Sequence, residues 1–383
     1  MGNASAPNVA AATRRQSRTA RVARGACLIV LIAAAAAESG SAAPHVWNVV
    51  GTAGGGTPFA VTCPSPSLCW AVGAAGMDAD FPEPYIERYW QGRWTAVGGL
   101  ATEAGGSLSS IACVTAADCW AVGAPGLGAK TAQPIIEHLT GGGWSAVSAP
   151  NLGPAAGGNL AGIACLGAQD CWAVGTVGSG SGPLRPLIEH LTDGGWSVAA
   201  GVGAGSAAGL LYAVTCSGAA ACWAVGEAGG GDGVLIERDD GNGWTVVSDG
   251  VARLPSGTPY ISLESIACPT ATDCWAVGLG GNGRADWGVI EHYAQGRWVA
   301  DAAGGPLLAV ACPADDDCWA AGYDGGHAGF ATSVVEQFTG GAWTAVSGPA
   351  VDPGPGGRVF ASGIACPSPE ECWAIVGSVG TDI

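Results

Sequence analysis

Charge is scarce in this chain: Asp, Glu, Lys and Arg make up only 12% of its 383 residues, and 14 basic residues face 31 acidic ones. With a formal net charge of −17 and no basic patch, nucleic acid and anionic lipid surfaces are repelled rather than gathered. Histidine is also sparse, at 5 residues, which leaves little material for an imidazole-rich metal centre. Long apolar runs are missing too. The clearest run, from Ala26 to Ala37, is too short to cross a bilayer as a helix. Abundant instead are glycine, with 66 residues, and tryptophan, with 16, in a chain that is 48% hydrophobic. That hydrophobic content argues for a packed domain built around tryptophan rather than for disorder.

The first 37 residues hold no Asp or Glu. They carry Arg14, Arg15, Arg18, Arg21 and Arg24 ahead of the apolar run, and Gly40-Ser41-Ala42 follows. A basic start, a short apolar core and small residues at a cut site are the parts of a secretory signal peptide. Residues 1–42 are therefore expected to be a leader cleaved near Ala42, and residues 43–383 a single domain, secreted or at the cell surface, with no membrane insertion after cleavage. Removal leaves 9 basic against 30 acidic residues. Cys27 would leave with the leader. The 14 other cysteines would form seven pairs, which suits an oxidising compartment.

Those cysteines mark a repeat. Cys63, Cys113, Cys165, Cys216, Cys268, Cys312 and Cys366 are each followed six positions on by a second cysteine and a tryptophan. Repeats thus begin near residues 58, 108, 160, 211, 263, 307 and 361. Five copies read C-W-A-V-G, and two vary it. The segment before the first cysteine, as in Phe59-Ala60-Val61-Thr62, is short and β-prone (strand A). The C-W-A-V-G stretch returns as strand B, so the two cysteines close a hairpin. If they oppose each other in an antiparallel pair, their Cβ atoms come within disulfide reach. The expected bridges are Cys63-Cys69, Cys113-Cys119, Cys165-Cys171, Cys216-Cys222, Cys268-Cys274, Cys312-Cys318 and Cys366-Cys372. A zinc reading would need such pairs to converge, whereas they lie a repeat apart; no metal and no cofactor are expected.

A third segment follows in six copies, such as Ile136-Glu137-His138-Leu139 and Ile290-Glu291-His292-Tyr293 (strand C). A Gly-containing turn then leads to a fourth strand opening with Trp94, Trp144, Trp196, Trp244, Trp298 or Trp343 (strand D). Four short antiparallel strands per unit of about 50 residues are what a propeller blade requires. The expected fold is all-β: a seven-bladed β-propeller of four-stranded antiparallel blades, one hairpin disulfide in each. Val46-Trp47-Asn48-Val49-Val50, a lone D strand, would close the ring from the N-terminal side. The seventh strand C is missing; Gly380-Thr381-Asp382-Ile383 is its start, or the chain is truncated there, two readings the sequence leaves open.

The unit resembles the propeller repeats of the photosystem II assembly factor type and the related bacterial neuraminidase (BNR) repeat. Those repeats have G-W-A-V-G where this chain has C-W-A-V-G, and an acidic D-G-G-x-x-W turn that only Asp193-Gly194-Gly195-Trp196 and Asp240-Gly241-Asn242-Gly243-Trp244 approach. The resemblance implies a fold, not an activity.

In a propeller the AB and CD turns share one face, and the BC and DA loops share the other. Residues that break the repeat lie on that second face, and loops on a rigid scaffold commonly carry function. Arg185, Arg253, Tyr260, Arg284, Asp286, Trp287, His327 and Arg358 are the candidate ligand-binding residues. The repeated glutamates and histidines of strand C read as structural, and Asp315-Asp316-Asp317 lacks the alternating spacing of a calcium loop. The leading expectation is a monomeric, non-catalytic binding propeller that recognises a glycan, peptide or protein. Two alternatives stand beside it: a sialidase-like hydrolase, with arginines gripping a carboxylate beside a tyrosine nucleophile, and an assembly factor for an exported complex.

Overall fold

The computed structural model describes residues 28–33, 46–52, 54–76, 82–97, 105–126, 133–141, 143–153, 156–179, 182–199, 208–229, 233–247, 260–282, 286–301, 303–324, 333–346 and 358–379. Every regular element among them is a strand, and the strands form four-stranded antiparallel sheets around a ring, a β-propeller. Blade 1 consists of strands A to D at Gly56–Ser65, Leu68–Ala75, Glu83–Trp90 and Arg93–Val97. Blade 2 runs Gly106–Thr115, Asp118–Pro125, Ile135–Thr140 and Gly143–Val147. Blade 3 runs Ala156–Gly167, Asp170–Ser179, Arg185–Thr192 and Gly195–Val198. Blade 4 runs Gly209–Cys216, Cys222–Ala228, Val234–Asp239 and Trp244–Val246. Blade 5 runs Tyr260–Thr270, Asp273–Gly281, Asp286–Ala294 and Arg297–Asp301. Blade 6 runs Leu307–Ala314, Asp317–Tyr323, Ser333–Thr339 and Ala342–Val346.

The last cysteine hairpin, Arg358–Ser368 with Glu371–Val379, does not make a blade of that kind. Its sheet is completed by Leu28–Ala33 and then Val46–Thr52, two strands from the other end of the chain. The expected seven-bladed propeller, closed by the N-terminal strand at Trp47, is therefore corrected: the propeller has six blades, each a contiguous repeat, and the remaining sheet joins the last hairpin to two N-terminal strands rather than to the one at Trp47 alone. The physical reason lies in the apolar run. Leu28–Ala33, expected to be the core of a leader, pairs residue for residue with Glu371–Val376 and supplies the third position the C-terminal end leaves open. Residues 380–383, offered above as the start of that strand, lie outside the described residues.

All seven cysteine pairs are bridged, at a sequence separation of 6. Direct opposition across the hairpin is why the spacing works, as for Cys113 against Cys119 and Cys216 against Cys222. The Gly of C-W-A-V-G has a local cause as well. Strand A bulges beside it, between Pro58 and Ala60 in blade 1, and a Cβ on Gly73 would collide with the Thr57 carbonyl oxygen. Gly123, Gly175, Gly226, Gly278 and Gly322 meet the same obstruction.

The core sits between sheets rather than within them. Strand B alternates Trp and Val on one face with Cys and Ala on the other, and both faces are buried. Trp70 and Val72 pack on Cys119 and Ala121 of the next blade, and Trp120 and Val122 on Cys171 and Ala173. The pattern ends with Trp373 and Ile375 of the composite sheet on Cys69 and Ala71, so the ring closes. The flat Cys/Ala face lets the neighbouring indole approach closely. Each such Trp also meets, edge to face, the strand D Trp of the next sheet, as in Trp172 with Trp244 at 5.3 Å and Trp319 with Trp47 at 6.3 Å. Truncating one of these tryptophans to Ala costs about 3–5 kcal/mol.

Candidate functional site

The two faces of the ring differ in kind. On the face of the AB and CD turns the sequence repeats, and so do its contacts. His138 lies flat on Trp120 at 3.7 Å with its Nε2 2.9 Å from Asp118 Oδ1. His190 and His292 repeat the arrangement on Trp172 with Asp170 and on Trp275 with Asp273. Elsewhere Arg88 and Arg238 cover Trp70 and Trp223 as cations, and Gln337 donates to Asp317 Oδ1 at 3.0 Å. The residue after the strand C glutamate thus caps the buried indole in five blades and in blade 6 ties to the AB turn instead, duties within the fold that explain its recurrence. Asp316 and Asp317 are likewise tied to Gly340 and Gln337.

The glutamates serve the fold in a second way. Glu87 accepts hydrogen bonds from Gly54 N at 2.7 Å and from the Tyr85 hydroxyl, and Glu336 accepts from Gly304 N at 2.8 Å. In both blades the carboxyl reaches from strand C to the segment leading into strand A. Burial pushes the Glu137 and Glu237 carboxyls up to about 7 and Glu189 up to about 8.

On the BC/DA face the repeat breaks, and one polar cluster forms where blades 5 and 6 meet. Tyr260 opens strand A of blade 5, Gly281 ends strand B and Asp286 opens strand C, so the three stand in one row across the sheet. Gly281 is required there: a Cβ would occupy the space in which the Tyr260 hydroxyl meets the Asp286 carboxylate. Tyr260 donates to Asp286 Oδ1, and Tyr323, from the end of strand B in blade 6, donates to Oδ2 at 3.2 Å. Ser262 donates to Glu264 Oε1 at 2.5 Å one step along the same strand A. Burial and the facing Asp286 push the Tyr323 phenol well above its ordinary value, with smaller contributions from Tyr260 and Glu264. A second phenol–carboxylate pair, Tyr212 to Glu227 at 3.3 Å, sits in blade 4.

This chemistry suits recognition better than bond cleavage. A carboxylate that accepts from two phenols is fixed in its orientation. A phenol held protonated by burial beside that carboxylate is a poor nucleophile.

Of the eight candidates, the structure brings together Tyr260 and Asp286. Trp287 is the neighbour of Asp286, yet its ring packs against the blade 5 core rather than standing on a loop. Arg185 is exposed at the start of strand C in blade 3, two blades away, and Arg358 opens strand A of the composite sheet. Arg253, Arg284 and His327 lie outside the described residues. Tyr323, Ser262, Glu264 and the Tyr212–Glu227 pair were missed. A signal existed for two of them: the residue after the Gly of strand B is Ala74 and Ala124 in blades 1 and 2 but Glu227 and Tyr323 in blades 4 and 6. Among the described residues no group of three or more His, Cys, Asp or Glu could hold a metal, and no helix is long and apolar enough to cross a membrane.

Solved structures share this architecture. A YCF48 protein bound to a D1 peptide superposes with a TM-score of 0.53 at 15% identity, over 86% of this chain and 93% of that one. YCF48 from Cyanidioschyzon merolae gives 0.52 at 16% identity, over 86% and 95%. The extracellular domain of the hybrid two-component system BT4673 from B. thetaiotaomicron gives 0.54 at 8%, over 86% of this chain and 39% of that one. The likeness is one of fold. No family model and no curated protein sequence matches the chain.

Proposed function

We propose that the chain is an exported, non-catalytic binding propeller that captures a peptide or protein segment on its BC/DA face, at the junction of blades 5 and 6. One observation carries the reading: polar residues that depart from the repeat converge as Tyr260, Asp286 and Tyr323, while the opposite face spends its polar groups on the repeated indole caps. Phenols and oriented carboxylates are suited to recognising amide and ammonium groups, because they offer acceptors beside a rigid aromatic surface. The YCF48 chain of the same fold bound to a D1 peptide supports a peptide ligand by analogy. Export is supported by the leader-like residues 1–42 and by seven disulfides, which belong to oxidising compartments. The strongly acidic composition weighs against nucleic acid as the ligand.

The test is a screen of the exported chain against arrayed glycans and peptides of exported proteins, run beside Tyr260→Phe/Tyr323→Phe and, on the opposite face, His138→Ala. A peptide ligand kept by His138→Ala and weakened at least tenfold by the double variant is the expected result. Equal binding by all three chains would remove the site, and retention of glycans alone would replace the peptide with a sugar.

A further inference from the structure

The composite sheet holds a strand unlike its counterparts. In the six blades strand C carries a glutamate opposite the Ala of strand B, as Glu137 stands opposite Ala121 and Glu336 opposite Ala320. In the composite sheet Val30 stands opposite Ala374, and the whole strand, Leu28–Ala33, is uncharged. The same six residues lie inside the segment that reads as a removable leader. The strands on either side keep anchors of their own. Glu371–Val379 is tied by the Cys366–Cys372 bridge and by Trp373 against Trp94 at 5.9 Å, and Val46–Thr52 by Trp47 against Trp319. Loss of the middle strand would therefore leave two framed strands with their facing backbone edges unpaired, the situation that draws in an added strand.

We propose that this third position is an exchangeable strand site: Leu28–Ala33 fills it in the full-length chain, and once export removes the leader an extended, uncharged, apolar segment of a partner polypeptide takes its place. The proposal rests on the reading of residues 1–42 as a leader. Register sets the chemistry of the occupant. The position opposite Ile375, held here by Ile29, corresponds to Ile86, Ile136, Ile188, Ile236 and Ile290, which are at most 1% exposed, so it requires a branched aliphatic side chain.

The chain is expressed with its own leader in an exporting host, and its first residue is read by mass spectrometry. The product is then titrated with a Lys-flanked synthetic peptide carrying the sequence of residues 28–33, and with the same peptide bearing Ile29→Asp. A chain starting near residue 43 that binds one equivalent of the first peptide, melts at higher temperature with it and binds the second at least tenfold more weakly is expected. A chain starting there that binds neither peptide, or both alike, overturns the strand site while leaving the leader reading intact. An exported chain that retains residues 28–33 overturns the leader reading and the exchange together.

Discussion

Glu189 offers the sharpest test of how the blades are held. Its side chain is fully buried on strand C of blade 3, and burial raises its carboxyl from 4.5 to about 8. Below pH 4.5 the group is protonated whether the chain is folded or unfolded, and the stability of the buried acid is present in full. Between pH 4.5 and 8 the unfolded chain ionises while the folded one resists, and stability is lost until the pH passes the folded value. At about 1.4 kcal/mol per unit the loss has an upper bound of about 5 kcal/mol, and relaxation with water entry brings it to roughly 2–3 kcal/mol. Glu189→Gln has nothing to ionise. Urea denaturation at pH 5, 6, 7 and 8 should therefore show wild type losing roughly 2–3 kcal/mol relative to the variant across the series. Glu87, which accepts a backbone N–H and a tyrosine hydroxyl that favour its charged form, should give a smaller slope when changed to Gln. A constant difference between wild type and Glu189→Gln at all four pH values would refute the reasoning.

Three further outcomes follow from the same packing. Replacing Cys165 and Cys171 together by Ala removes a closed loop of seven residues and should lower stability by about 2 kcal/mol without unfolding the ring, as read by denaturant midpoint and circular dichroism. Gly123→Ala places a methyl against the Ser107 carbonyl at the strand A bulge and should cost about 1–3 kcal/mol in the same assay, whereas Gly141→Ala, in open space, should cost under about 0.5 kcal/mol. Tyr323 should stay protonated above pH 10, so an ultraviolet titration should lose its most alkaline tyrosine step in Tyr323→Phe, and an unchanged titration would contradict the buried phenol.

The repeat was legible because its physics is local. Six-residue spacing, a turn and alternation of period two are enough to set two cysteines opposite each other, as Cys165 and Cys171 are. Tryptophan at fixed strand positions likewise announced a core built on indoles, though not that it lies between sheets. The middle strand of the composite sheet was not legible, because a short apolar run such as Leu28–Ala33 satisfies both a leader and a strand, and composition cannot arbitrate. Tyr260 and Asp286 stood out as breaks in the repeat. Their meeting with Tyr323 did not, because contact between blades depends on ring geometry that spacing along the chain does not carry. Trp287 was misjudged as a loop residue for a related reason: strand C of blade 5 starts earlier than its repeat partners suggest, and the ring turns inward to the core.

The most direct measurement of the proposed binding face is hydrogen–deuterium exchange on the exported chain with and without a captured peptide. Protection confined to residues 260–264, 281–287 and 323, with the AB and CD turns unchanged, is the expected result. Protection at the turns around Asp118, Asp170 and Asp273 instead would place the ligand on the repeated face and contradict it.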